Sequence, residues 1–173
     1  MRLPPPPVLL ATLSLVVRAQ APLPPQAGWD GEWRLLPGES DRVDALIEEH
    51  LKGRNFAAKL LWKRKLTAAC RTYPNLDLLF GSQFRVTFGR ELPADTPADG
   101  SRGAWIRSDG ERFQVFLRQE EGRLVQTLQG KGYTLTHAYT LDKGSRDLEL
   151  RVTYANPRLE PPFSYRMVYR KVE

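Results

Sequence analysis

From Gly103 to Val172 the chain alternates large apolar or aromatic residues with small or charged ones, run after run. Tyr133, Leu135, His137, Tyr139 and Leu141 form one series; Leu148, Leu150, Val152 and Tyr154 form the next; Phe163, Tyr165, Met167 and Tyr169 form the last. A period of two sends alternate side chains to opposite faces of a strand, so each run has one face for a core and one for water. The turn sequence Asp142-Lys143-Gly144-Ser145 between the first two runs predicts antiparallel pairing. This pattern restricts the chain to a mainly β fold.

Upstream, Trp33 and Leu35 alternate with Glu32 and Arg34 in a first strand, which Pro37-Gly38 ends. Ser40-Asp41 reads as an N-cap pair for a helix carrying Val43, Leu46, Ile47 and Leu51 at helical spacing. Its acidic first turn suits the positive end of the helix dipole. A second helix runs from about Asn55, its expected cap, to Cys70. Leu60, Leu61, Trp62 and Leu66 are its expected anchors, and Pro74 stops it. Leu76, Leu78 and Phe80, then Phe84, Val86 and Phe88, mark two more strands about the Gly81-Ser82 turn. The pattern vanishes over 89–102, which reads as a loop, and Asn156–Pro162 reads as a rigid exposed loop. Strands resume at Ala104–Arg107, Asp109-Gly110 is a hairpin signal, and further runs at Phe113–Leu117 and Leu124–Leu128 complete a count of about nine strands. Such a sheet, with short antiparallel connections, closes into an up-and-down barrel of about 8–10 strands, two helices being inserted after the first. The strand at Trp33 is expected to meet the strand at Met167.

The length of 173 residues suits one domain, here assigned to 29–173. Residues 1–21 read as an export signal: Met1-Arg2, an apolar run at Val8–Val17, then the small-x-small Ala19-Gln20-Ala21, with cleavage after Ala19 or Ala21. The apolar run falls well short of the ~20 residues that span a bilayer. Residues 22–28 form a Pro-rich leader. The expected location is therefore periplasmic or extracellular. The single cysteine, Cys70, excludes an internal disulfide and lies in a small apolar run that suits burial. Lys and Arg outnumber Asp and Glu by 26 to 20, too small an excess to indicate a nucleic-acid partner.

Several of these segments together resemble the calycin group of lipocalins and fatty-acid-binding proteins, and more closely the uncharacterised secreted bacterial lipocalin-like proteins. The carrying segments are Gly31-Glu32-Trp33-Arg34-Leu35, Ser40-Asp41 opening a helix, Leu76-x-Leu78 before a glycine turn, Gly132-Tyr133-Thr134-Leu135-Thr136, and the closing Arg166-Met167-Val168-Tyr169-Arg170. The resemblance implies a calycin barrel with the helix pair as a lid. The family's Arg-x-Tyr carboxylate grip is absent, because Arg166 and Tyr169 stand three apart and so face opposite sides of a strand.

Tyr133, His137, Tyr139, Tyr154, Tyr165, Met167 and Tyr169 share the inward phase and are the candidate cavity residues. Aromatic walls with polar tips suit a small hydrophobic or amphipathic ligand, held by apolar burial and oriented at one polar end. The same pattern also fits a filled core. No catalytic motif, Gly-rich phosphate loop or metal-ligand spacing is present, so neither an enzyme nor a cofactor is expected. The alternative function uses the helix of residues 52–71, where Lys59, Lys63, Arg64 and Lys65 are candidate contacts for an anionic membrane surface. The expected molecule is a monomer.

Overall fold

A computed structural model describes residues 28–120, 122–142 and 146–173. The export signal, almost all of the Pro-rich leader and residues 143–145 of the predicted turn lie outside the described residues. The strands are β1 (Gly31–Leu35), β2 (Asn75–Phe80), β3 (Gln83–Phe88), β4 (Ala94–Pro97), β5 (Gly103–Ile106), β6 (Arg112–Glu120), β7 (Arg123–Gln129), β8 (Thr134–Leu141), β9 (Asp147–Asn156) and β10 (Leu159–Lys171). The helices α1 (Val43–His50) and α2 (Phe56–Ala69) both fall between β1 and β2.

All ten strands form one antiparallel sheet in the order β4-β3-β2-β1-β10-β9-β8-β7-β6-β5. The sheet curls into a nearly closed barrel. The expected meeting of first and last strands holds, with Trp33 opposite Lys171 and Leu35 opposite Tyr169. Along β9 and β10 the inward residues face one another in register: Tyr154 with Phe163, Val152 with Tyr165, Leu150 with Met167 and Leu148 with Tyr169. All eight are buried, as the alternation requires. The outward residues between them are polar except for the buried Val168, and Thr153 pairs with Ser164 at 2.9 Å.

The two ends of the sheet, β4 and β5, lie side by side without sharing ladder pairs. Gly103 makes this approach possible. A Cβ there would fall 3.0 Å from the Asp95 carbonyl oxygen and 2.8 Å from Val115 Cγ2. Side chains stitch the seam instead: Trp105 Nε1 donates to the Leu92 carbonyl (2.8 Å) and Gln126 Nε2 donates to Thr96 Oγ1 (2.7 Å).

Four details depart from the sequence expectations. The segment 89–102 is not all loop but contains β4, paired with β3 through Val86–Ala94 and Phe84–Thr96. The expected loop at 156–162 tightens so far that β10 begins at Leu159, which is fully buried. Ser40 and Asp41 do not cap α1, whose N-cap is Arg42 with no side-chain cap bond. They serve β10 instead, the Ser40 hydroxyl accepting from Val168 N–H (2.9 Å) and the Asp41 carboxylate from Arg166 N–H (2.7 Å). These contacts occupy backbone groups of β10 where β1 has already ended. Finally, Leu60 and Leu61 of α2 are exposed, at 61% and 51%. The buried stripe is Trp62, Leu66 and Ala69, spaced by four and three residues, and one helix face cannot also hold two neighbours of Trp62. Asn55 does cap α2, accepting from Ala58 N–H at 2.9 Å.

Candidate functional site

The inward phases of β3, β5, β6 and β8 bring a continuous series of rings into the barrel. Phe88 packs on Tyr73, Trp105 and His137, with centroids 5.1, 5.7 and 5.2 Å away. Trp105 stacks on Phe113 at 5.5 Å, and Phe113 meets Tyr133 edge-on, which in turn stacks on Tyr154 at 5.0 Å. Together they fill the interior. A void of about 10 Å³ remains beside Phe88, Trp105, His137 and Met167, and roughly that much space holds one water. The barrel in this state is packed rather than hollow.

One polar chain crosses this apolar core. Gln126 stands opposite His137 across the β7–β8 ladder. The Tyr139 hydroxyl donates to Gln126 Oε1 at 3.0 Å and lies 3.5 Å from His137 Nδ1, while the Gln126 amide reaches Thr96 on β4. All four side chains are neutral. Burial drives the His137 pKa down from 6.5 to about 3 and pushes the Tyr139 hydroxyl well above its usual 10. Each member can donate or accept, so the chain can rearrange around a further hydroxyl or carbonyl.

The central void comes close to the surface at the helix-capped end. A cleft of about 1100 Å³ opens there between the start of α1, the end of α2 and the ends of β1–β3. Its lining includes Arg71, Tyr73, Phe88 and Met167, the same four residues that wall the central void on this side. Two tyrosines of β10 hold the α2–β2 connection over this opening: the Tyr165 hydroxyl donates to the Arg71 carbonyl (3.0 Å) and the Tyr169 hydroxyl to the Tyr73 carbonyl (3.2 Å). These hydroxyls, expected from sequence to face a ligand, already have partners in the protein.

Arg71 then ties the same connection to two turns. Its guanidinium reaches Glu91 Oε1 at 2.8 Å and Asp109 Oδ2 at 2.7 Å. Glu91 also accepts from Ser108 N–H (2.7 Å), and Asp109 and Glu111 both bind Arg107, whose side chain is 2% exposed and lies over the Phe113 ring. Hydrogen bonding to Arg107 holds the Asp109 carboxyl down to about 2. Arg71→Ala should therefore loosen the mouth. The guanidinium is 29% exposed, so the expected loss is only ~1–2 kcal/mol in urea unfolding, below the value for a fully buried pair. Stopped-flow entry of a lipophilic dye should quicken in the same variant.

All seven cavity candidates lie on the inward faces of the barrel, and six are buried, Tyr133 being half-buried. Phe88, Tyr73, Arg71, Arg107, Thr96 and Gln126 belong to the site although they are not among the cavity candidates from sequence. Gln126 shares the phase of Leu124 and Leu128, and Arg107 that of Trp105, so alternation alone could have placed both. On α2, Lys59 and Lys63 both pair with Glu48 of α1, and Lys65 lies over the Trp62 ring. The four basic candidates are exposed or half-exposed. Among the described residues no three His, Cys, Asp or Glu side chains gather in a group that could hold a metal ion.

No protein-family model matches this chain, and no curated protein does. Solved structures do. A structure described as the "REP1-NXSQ fatty acid transporter" matches at 12% identity and a TM-score of 0.51, covering 83% of this chain and 96% of the other. Fatty-acid-binding protein 1 of Echinococcus granulosus matches at 15% identity and 0.53, covering 86% and 100%. A secretory abundant heat soluble protein of Ramazzottius varieornatus matches at 11% and 0.57, covering 86% and 98%. The fold is thus the fatty-acid-binding, calycin type of barrel anticipated from the sequence.

Proposed function

We propose that this chain is an exported, monomeric, non-catalytic protein that binds a small hydrophobic or amphipathic molecule, admitted through the helix-capped mouth. The observation that carries the proposal is the shared wall: Arg71, Tyr73, Phe88 and Met167 separate a large mouth cleft from the ring-lined interior. Because the interior is packed, uptake has to part the rings, beginning with Tyr73 and Phe88. Apolar burial would drive that step and the neutral polar chain would receive the ligand's polar end. The fold shared with a protein described as a fatty acid transporter supports the proposal.

Native mass spectrometry of protein purified without detergent, followed by organic extraction, tests it. A retained lipophile, or saturable binding of an added lipophilic probe, is the expected result. Protein that is empty and takes up no probe would rule the proposal out.

A second function has its own support on α2. Phe56, Leu60 and Leu61 are exposed at 83%, 61% and 51%, beside Lys59, Lys63, Arg64 and Lys65. Apolar and basic side chains together on one exposed helix suit an anionic bilayer surface. Glu48 offsets part of that charge, which leaves Arg64 and Lys65 as the main cationic contacts. Sedimentation with phosphatidylglycerol vesicles should then fall about tenfold for Arg64→Glu with Lys65→Glu. Unchanged sedimentation would eliminate this role.

A further inference from the structure

Resting on the binding proposal above, we infer that the ligand is uncharged: an amphipath ending in a hydroxyl, amide or ester, and not a fatty-acid carboxylate. The placement of charge carries this. Among the described residues the buried charged residues are Arg107 and Asp147, and the side chain of Glu91 is enclosed as well. Asp147 is held by Arg170 through two contacts of 2.9 Å. Arg107 is held by Asp109 and Glu111, and Arg71 beside it by Glu91 and Asp109. Two guanidinium groups thus face three carboxylates at the mouth, and neither has charge to spare for an incoming anion.

The wider cleft is balanced in the same way, with Asp41, Asp44 and Glu91 against Arg42, Arg71 and Arg90. On β10, Arg166 points outward, 40% exposed, to Glu149 and the Glu39 carbonyl, while Tyr165 and Tyr169 point inward. A carboxylate entering the barrel would find Arg71 and Arg107, which border the central void, already paired, and beyond them Thr96, Gln126, His137 and Tyr139, all neutral. Moving an ion into such surroundings without a counter-charge costs several kcal/mol. A hydroxyl loses little there, because the chain from Thr96 to His137 offers it both donors and acceptors. An ammonium group is excluded by the same interior, which holds no free carboxylate among the described residues.

Lauryl alcohol and lauric acid provide the test, since they share a chain and differ at the head. Titrated at neutral pH into the full chain and followed by tryptophan fluorescence, the alcohol should bind at least about tenfold more tightly than the acid. The preference should narrow in the double variant Glu91→Gln, Glu111→Gln, which frees positive charge on Arg71 and Arg107. Equal or tighter binding of laurate by the unaltered protein would overturn the inference and leave the binding proposal standing. Failure of both probes to bind would overturn the two together.

Discussion

Replacing Phe88 by alanine is expected to lower stability by about 3–5 kcal/mol, the usual cost of emptying a buried phenylalanine site. Phe88 is fully buried and touches Tyr73, Trp105 and His137, rings from three other parts of the chain. Collapse around the hole is difficult when three of its neighbours are planar rings fixed by their own contacts. The same substitution should join the mouth cleft to the central void, because Phe88 lines both. Uptake of a lipophilic dye should accordingly increase while the urea midpoint falls. A variant that is destabilised but takes up no more dye would show that the ring fills the core without guarding it.

Acid should be the second large effect. His137 is fully enclosed, and burial lowers its pKa from 6.5 to about 3. Between those values the unfolded chain binds a proton that the folded chain refuses, so stability falls as pH falls. The slope is ~1.4 kcal/mol per pH unit, reaching up to about 4–5 kcal/mol near pH 3. That is a large part of the roughly 5–15 kcal/mol available to a domain. Asp109, held down to about 2 by Arg107, adds a further loss at the acid end of this range and below it. Burial also lowers the His50 pKa, so a shallow slope should survive when His137 is removed. Urea unfolding measured from pH 7 to pH 3 should show His137→Phe losing much less stability than the parent chain. Parallel profiles for the two proteins would contradict the assignment.

Most of the barrel is legible along the chain because a half-buried strand writes its orientation into alternate residues. The β8, β9 and β10 series and the closure of β1 on β10 all follow from it. What escapes is structure whose cause lies far away. β4 holds only Ala94–Pro97, too short for a period to show, and its pairing with β3 becomes visible only in the sheet. Ser40 and Asp41 look like helix caps because those side chains bind local N–H groups; here they accept instead from Val168 and Arg166, 128 and 125 residues on. In α2, Leu60-Leu61-Trp62 offers three apolar residues in a row, and only packing in the folded core selects Trp62.

The candidate site divides the same way. Alternation places the tyrosines and His137 inside, but it does not say what their hydroxyls meet. Tyr165 and Tyr169 find carbonyls 94 and 96 residues away, on the connection that covers the mouth. Whether a ring-lined barrel is packed or hollow depends on how rings from several strands tilt against each other. No single strand carries that information.

The open seam bears on how copies of this protein treat one another. A sheet that curls round without lacing its ends keeps two strands whose outer sides could in principle recruit a strand from a second molecule, the first step toward aggregation. Here both are four residues long and face each other across Gly103. Pro93 and Pro97 bracket β4 and lack amide donors, and the Trp105 and Gln126 side chains already bridge the gap. A passing chain therefore finds no flat, vacant template on either strand.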